Sequence, residues 1–388
     1  MMLTAIITTL LLADPGSDGL FFALPLNPIE GSRVFSAKGC AGCHAIQGIG
    51  GQVGPDLGKG QTQRPLLDIA GALWNHSPQM TKALREQQKA RPEFTEAEMA
   101  SVLSFLYYVG SFEKPGDPEV GERLFRGTCS KCHTIEGVGG TVGPKLDDYS
   151  RYASLQFFTA GLWNKGAKMT AEMSKQGIER PVYDGRQIAN VVAYLRTQRT
   201  SIDRQYSRPG NPRQGEALFE SKRCAECHPF KGRTGVGPNL ATRLKGSLTH
   251  ISGALWNHAP KMWAKMKERG VELPTLSPEE AADLVTYLYF LQFRDSGGDP
   301  ERGKVVFREA QCKSCHAGLT GSPAKAPNFL EGEARFRSPI TITAAMWNHG
   351  GKMEKAMEER SLAWPVLRSG ELADLVAFLA SRPGSPGP

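Results

Sequence analysis

The apolar residues of "ADLVTYLYFL", Ala282 to Leu291, and "ADLVAFLASR", Ala373 to Arg382, recur at the spacing of one helical face, the pattern of a helix packed on a core. Each belongs to a layout that occurs four times. Thr95, Asp184 and Ser277 precede Glu98, Gln187 and Glu280 at capping-box spacing, and Arg368 precedes Glu371 in the fourth copy. Ten residues beyond each start stands an aromatic side chain, Phe105, Tyr194, Tyr287 or Phe378. Four closing helices are predicted. Four opening helices are predicted by Asn27-Pro28, Asp117-Pro118, Asn211-Pro212 and Asp299-Pro300, where Asn or Asp reads as the N-cap and proline as the first helical position. Gly31, Gly121, Gly215 and Gly303 follow three residues after each proline, and Phe35, Phe125, Phe219 and Phe307 four residues later.

Between opening and closing helices runs a segment in strict register. Trp74, Trp163, Trp256 and Trp347 stand six residues before Met80, Met169, Met262 and Met353, and Pro92, Pro181, Pro274 and Pro365 follow twelve residues after the methionines. Insertions and deletions fall only upstream of the tryptophan. The 388 residues therefore read as an internal repeat of about 90 residues. The expected fold is all-α: four tandem helical domains at residues 27–112, 117–200, 211–294 and 299–382, joined by short linkers rich in glycine and proline. Domains of about 85 residues are marginal unless a cofactor fills the core. Residues 1–26 stand apart. Their "MMLTAIITTLLLA" reads as an export leader, although its start carries no Lys or Arg; the alternative is an ordinary N-terminal extension. No run of 18 apolar residues occurs, so no spanning helix is expected in the mature chain.

All eight cysteines fall in four copies of one pattern: Cys40, Cys43 and His44; Cys129, Cys132 and His133; Cys224, Cys227 and His228; Cys312, Cys315 and His316. C-x-x-C-H is the attachment site of c-type haem. Two thiols, one helical turn apart, add across the two vinyl groups of a porphyrin, and the adjoining imidazole reaches the iron. Zinc, disulfides and a redox dithiol compete for cysteines, but none of them requires histidine directly after the second cysteine in all four copies. Four covalently attached haem c groups, with iron, are the expected cofactors.

The opposite face of each iron needs a second donor. Two residues after the tryptophan stand His76, Lys165, His258 and His349; six after stand the four methionines; ten after stand Leu84, Met173, Met266 and Met357. Only the second position supplies one donor type throughout, so Met80, Met169, Met262 and Met353 are the expected partners of His44, His133, His228 and His316. Thioether suits ferrous iron and raises the reduction potential relative to bis-histidine ligation. The histidines lie four residues before the methionines, on the same face if that segment is helical, so a ligand exchange stays open beside a surface or propionate contact.

From Asn27 to Arg382 the chain resembles a string of class I cytochrome c domains, through C-x-x-C-H after an opening helix, a Gly-Pro loop, a later methionine and an aromatic on the last helix. The resemblance implies that the carbonyls of Pro55, Pro144, Pro238 and Pro327 accept the second N–H of the proximal histidines. It also implies packing of opening on closing helices, such as Phe125 on Tyr194. The fourth repeat departs from the pattern, with Ala326 in place of the glycine.

The formal charge of +8 has no Lys/Arg block that would favour nucleic acid. Four ferric haems with their propionates would bring it to about +4, and reduction to near zero. The leading expectation is an exported, periplasmic carrier of single electrons, docking redox partner proteins of acidic character. Two alternatives remain: a multihaem enzyme with an open haem, such as a peroxidase or small-oxyanion reductase, and a haem subunit of a membrane respiratory complex. No catalytic residues are assigned.

Overall fold

A computed structural model describes residues 28–58, 64–110, 115–147, 154–198, 210–229, 235–293, 297–317, 326, 328–329 and 339–381. The candidate leader lies outside them. The chain is almost entirely helical and divides into two compact units. The larger unit takes the described residues of 28–65 and 94–293; the smaller takes those of 66–93 and 297–381.

The opening helices span Pro28–Ala37, Pro118–Gly127, Pro212–Ser221 and Pro300–Glu309, and the closing helices span Glu96–Gly110, Gly185–Thr197, Pro278–Leu291 and Glu371–Ala380. Asp117, Asn211 and Asp299 cap their helices through side-chain oxygens that accept two backbone N–H groups each. Asp184–Gln187 and Ser277–Glu280 form complete capping boxes, as does Thr95–Glu98. The fourth copy keeps half of the box: Glu371 accepts from the Arg368 N–H.

Opening and closing helices of one repeat pack together in all four copies. The repeated glycine makes this crossing possible. A Cβ on Gly31, Gly121, Gly215 or Gly303 would collide with the carbonyl of Ser101, Asn190, Asp283 or Asp374 on the closing helix. One turn on, the aromatic pairs Phe35–Phe105, Phe125–Tyr194, Phe219–Tyr287 and Phe307–Phe378 meet at centroid distances of 5.4 to 5.7 Å. The contact implied for Phe125 and Tyr194 is thus present.

The tryptophan segments are helical: Leu66–Asn75 continuing in Ser77–Glu86, Leu155–Lys175, Leu248–Glu268, and Pro339–Glu358. Within the larger unit, the tryptophan helices of repeats two and three cross each other at small residues, where Thr159 Oγ1 donates to Ser252 Oγ at 2.9 Å. Each then packs on the closing helix of the other repeat. Trp163 Nε1 donates to the Pro274 carbonyl at 2.7 Å, and Trp256 Nε1 to the Pro181 carbonyl at 2.8 Å. Within the smaller unit, repeats one and four make the same exchange. Trp74 Nε1 donates to Pro365 O at 2.8 Å and Trp347 Nε1 to Pro92 O at 2.7 Å. The repeats thus join in reciprocal pairs, two with three and, through residues 66–93, one with four.

One feature departs from an all-helical reading. After the first two C-x-x-C-H motifs the chain forms small antiparallel hairpins, His44–Ile46 with Ile49–Gln52 and Thr134–Ile135 with Val138–Gly139. Gln47-Gly48 and Glu136-Gly137 both take positive φ, 52° and 84° in one and 50° and 78° in the other, as a type I′ turn requires. Asp56 fastens the first turn by accepting from the Gln47 and Gly48 N–H groups. In the third repeat residues 230–234, which follow Pro229, lie outside the described residues.

Candidate haem sites

Each C-x-x-C-H motif sits on a tight turn at the end of an opening helix. Cys40–Gly42, Cys129–Lys131 and Cys224–Glu226 are single 3₁₀ turns, and Lys313–His316 is one α turn. The second cysteine's N–H bonds back to the carbonyl of the first at 3.1 to 3.2 Å in every copy. Both sulfurs are thereby held on one turn. All eight are free, half-buried thiols, so no disulfide competes. Burial pushes the first thiol of each motif, Cys40, Cys129, Cys224 and Cys312, up to about 11, which keeps it protonated at neutral pH.

His44, His133 and His228 are positioned alike. Their Nδ1 atoms lie 2.9, 2.9 and 3.0 Å from the carbonyls of Pro55, Pro144 and Pro238. A carbonyl only accepts, so Nδ1 carries the proton and Nε2 presents its lone pair. This is the tautomer an iron ligand needs, and it fits a haem. The preceding glycine lets the loop approach. A Cβ on Gly54, Gly143 or Gly237 would run into the imidazole ring itself. The acceptors implied by the resemblance are therefore present in three repeats.

The fourth repeat has Ala326 where the others have this glycine. Ala326 carries the Cβ that the other loops exclude. Phe329, whose N–H donates to the His316 carbonyl at 2.8 Å, stacks flat on the His316 ring with centroids 4.3 Å apart and planes inclined by 1°. Pro327 lies outside the described residues.

The four methionines are half-buried on their tryptophan helices. Met169 packs on a cluster of Tyr183, Ile188, Val192 and Trp256. Met353 packs on the core that also receives Cys312, Phe329 and Trp364. Met262 lies in the larger unit with His44, His133 and His228; Met80 lies in the smaller with His316. By contrast, His76, Lys165, His258 and His349 are all exposed. The next residue in each copy, Ser77, Gly166, Ala259 or Gly350, is the buried one at the helix crossing. His76 Nδ1 bonds to the Ala72 carbonyl of its own helix at 2.8 Å.

A set of residues around the tryptophans carries no signal in the cysteine motifs. Arg180, directly before Pro181, lies over the Trp256 ring at 3.7 Å and donates from Nη2 to the Trp256 carbonyl at 2.7 Å. In the smaller unit Arg91 lies over Trp347 at 4.1 Å and donates to its carbonyl, while Trp364 stacks on Trp74 at 4.1 Å and donates from Nε1 to the Trp74 carbonyl at 3.1 Å. A sequence signal exists in hindsight. Pro78 and Pro260 stand four residues after Trp74 and Trp256 and cannot supply the helical N–H, so those carbonyls need a side-chain donor.

Among the described residues no group of three or more His, Cys, Asp and Glu side chains gathers as a metal cluster, and no helix is long and apolar enough to cross a membrane. Residues 29–109 and 118–199 match the family model of cytochrome c, and residues 210–288 match that of the cbb3-type cytochrome c oxidase subunit III. Cytochrome c of Ginkgo biloba is 48% identical over 33 residues, which are 8% of this chain and 29% of that protein. No solved structure matches the chain.

Proposed function

We propose that this chain, a cytochrome c-like family member with an additional domain like subunit III of cbb3-type oxidases, is an exported tetrahaem carrier of single electrons. Electron transfer is the role its family likeness supports. The four domains are residues 27–112, 117–200, 211–294 and 299–382. The eight cysteines would hold four haems through thioether links, and His44, His133, His228 and His316 with Met80, Met169, Met262 and Met353 would supply the donors to iron. The observation that carries the reading is the Nδ1-to-carbonyl bond of three proximal histidines, which leaves Nε2 as the donor.

Bound haem supplies a one-electron ferric/ferrous couple. The residues of the chain set its potential and its access. The Pro55, Pro144 and Pro238 carbonyls orient the imidazoles and raise their basicity. The methionine thioethers favour the ferrous state. With a protein donor on each face no coordination position remains for a substrate, so the enzyme reading loses its requirement. The cbb3-like segment supports service to a respiratory complex, with a redox protein as donor or acceptor.

Haem content per chain and a potentiometric titration followed at the near-infrared sulfur-to-iron band test this reading. Four haems and four equivalents of the band are expected. A chain that shows no such band refutes the methionine assignment.

A further inference from the structure

Within the larger unit, the pocket wall of one repeat is supplied by another. Trp256 belongs to repeat three, six residues before Met262, yet it is 3% exposed in a cluster made with Tyr183, Ile188 and Val192 of repeat two. Met169 packs on that same cluster. Tyr183 lies 6.4 Å from Trp256 between ring centroids. The indole of repeat three thus shares a buried cluster with the thioether donor of repeat two. Asn257 locks the placement, donating to Tyr183 O at 2.8 Å and accepting from Tyr183 N at 3.0 Å; Asn164 and Leu276 make the reciprocal pair at 2.7 and 2.9 Å. The smaller unit repeats the arrangement: Trp74 of repeat one lies in the core of repeat four that receives Met353 and Cys312.

We propose that repeats two and three operate as one redox pair, with Trp256 a positioning residue of the repeat-two site and electrons exchanged between the two sites across it. The proposal rests on the tetrahaem reading above. The step moves one electron from ferrous iron in one repeat to ferric iron in the other, with no bond or proton transferred. The tryptophan and closing helices of repeats two and three pack on one another, and in a low-dielectric interior a charge held in one repeat acts on the other. Trp256 also keeps water from the repeat-two site, which holds that potential up.

The test uses the full-length holoprotein in redox titrations followed by electron paramagnetic resonance, with the repeat-two signal identified by Met169→His. Trp256→Phe is expected to lower the midpoint of the repeat-two site, although the substitution lies in repeat three, and to leave repeats one and four unmoved. A shift confined to repeat three, or none, overturns the proposal. A second measurement leaves Trp256 intact. Met169→His and Met262→His each hold one site ferric to lower potential, so in one of the two variants the partner's midpoint must rise; a partner unmoved in both also overturns it. A wild-type chain without four haems would instead sink the functional reading, and this pairing with it.

Discussion

Arg180 offers the sharpest test of how the repeats are held together. The Trp256 carbonyl lies inside the helix Leu248–Glu268, but the residue four positions on is Pro260, which has no N–H to give. Arg180 Nη2 takes that place at 2.7 Å, its Nε donates to Thr170 Oγ1 at 3.0 Å, and its guanidinium covers the indole at 3.7 Å. Arg180→Met leaves the carbonyl without a donor. An orphaned acceptor costs about 1–3 kcal/mol, and the lost cation–π contact about 0.5–2 kcal/mol. Release of a guanidinium whose pKa is lowered by burial returns part of this. The net loss is therefore about 2–4 kcal/mol by the handling of both terms together. Equilibrium denaturant unfolding of the holoprotein, followed by Trp fluorescence, measures it. The decisive arm is the double-mutant cycle with Pro260→Ala, which restores an N–H to the Trp256 carbonyl. Arg180→Met should cost about 1 kcal/mol less in that background. Equal costs in both backgrounds would refute the orphaned-carbonyl argument.

The helix crossing gives a second expectation: Gly121→Ala forces a Cβ into the Asn190 carbonyl and should cost about 1–3 kcal/mol, whereas Gly127→Ala, with nothing within 4 Å, should gain about 0.5–1 kcal/mol in thermal or denaturant unfolding. Gly143→Ala drives its Cβ against the His133 ring, weakens the bond to Pro144, and should raise the midpoint of the repeat-two site in a redox titration. Lys165→Ala should leave the sulfur-to-iron band intact and Met169→Ala should remove one equivalent of it. Glu98 is held below the usual carboxylate range by Lys38 at 2.9 Å and by the Thr95 N–H. Its folded pKa is depressed, so its contribution is present above the ordinary carboxylate value and lost as pH falls through the folded one. Lys38→Met should accordingly be less stable than wild type at pH 7 and converge with it in acid, as read from unfolding curves across pH.

Much of the local structure was legible in the chain. Helix starts at Asp117, Asn211 and Asp299, and the capping boxes at Thr95, Asp184 and Ser277, depend on side chains within three residues of the backbone groups they satisfy. The turn that brings two thiols and a histidine together is equally local, because its bonds close within four residues. The small hairpins were open to the same reading, since Gln47-Gly48 and Glu136-Gly137 carry the turn chemistry, but the strands are too short to show a period.

The fourfold repeat, the C-x-x-C-H motifs, the helix boundaries and the register of histidine and methionine are written in the chain, because they follow from interactions close along it. Lys165 marked where the histidine is dispensable, and the structure leaves it in solvent together with His76, His258 and His349. Which repeats join is set by tertiary contacts. The acceptors of the tryptophan N–H groups lie 75 to 291 residues away, on loops that are alike in all four copies, so no local pattern selects among them. The choice was made by packing: a small residue where two helices cross, and a donor from one repeat, Arg180 or Trp364, for a carbonyl that a proline in another had left without one.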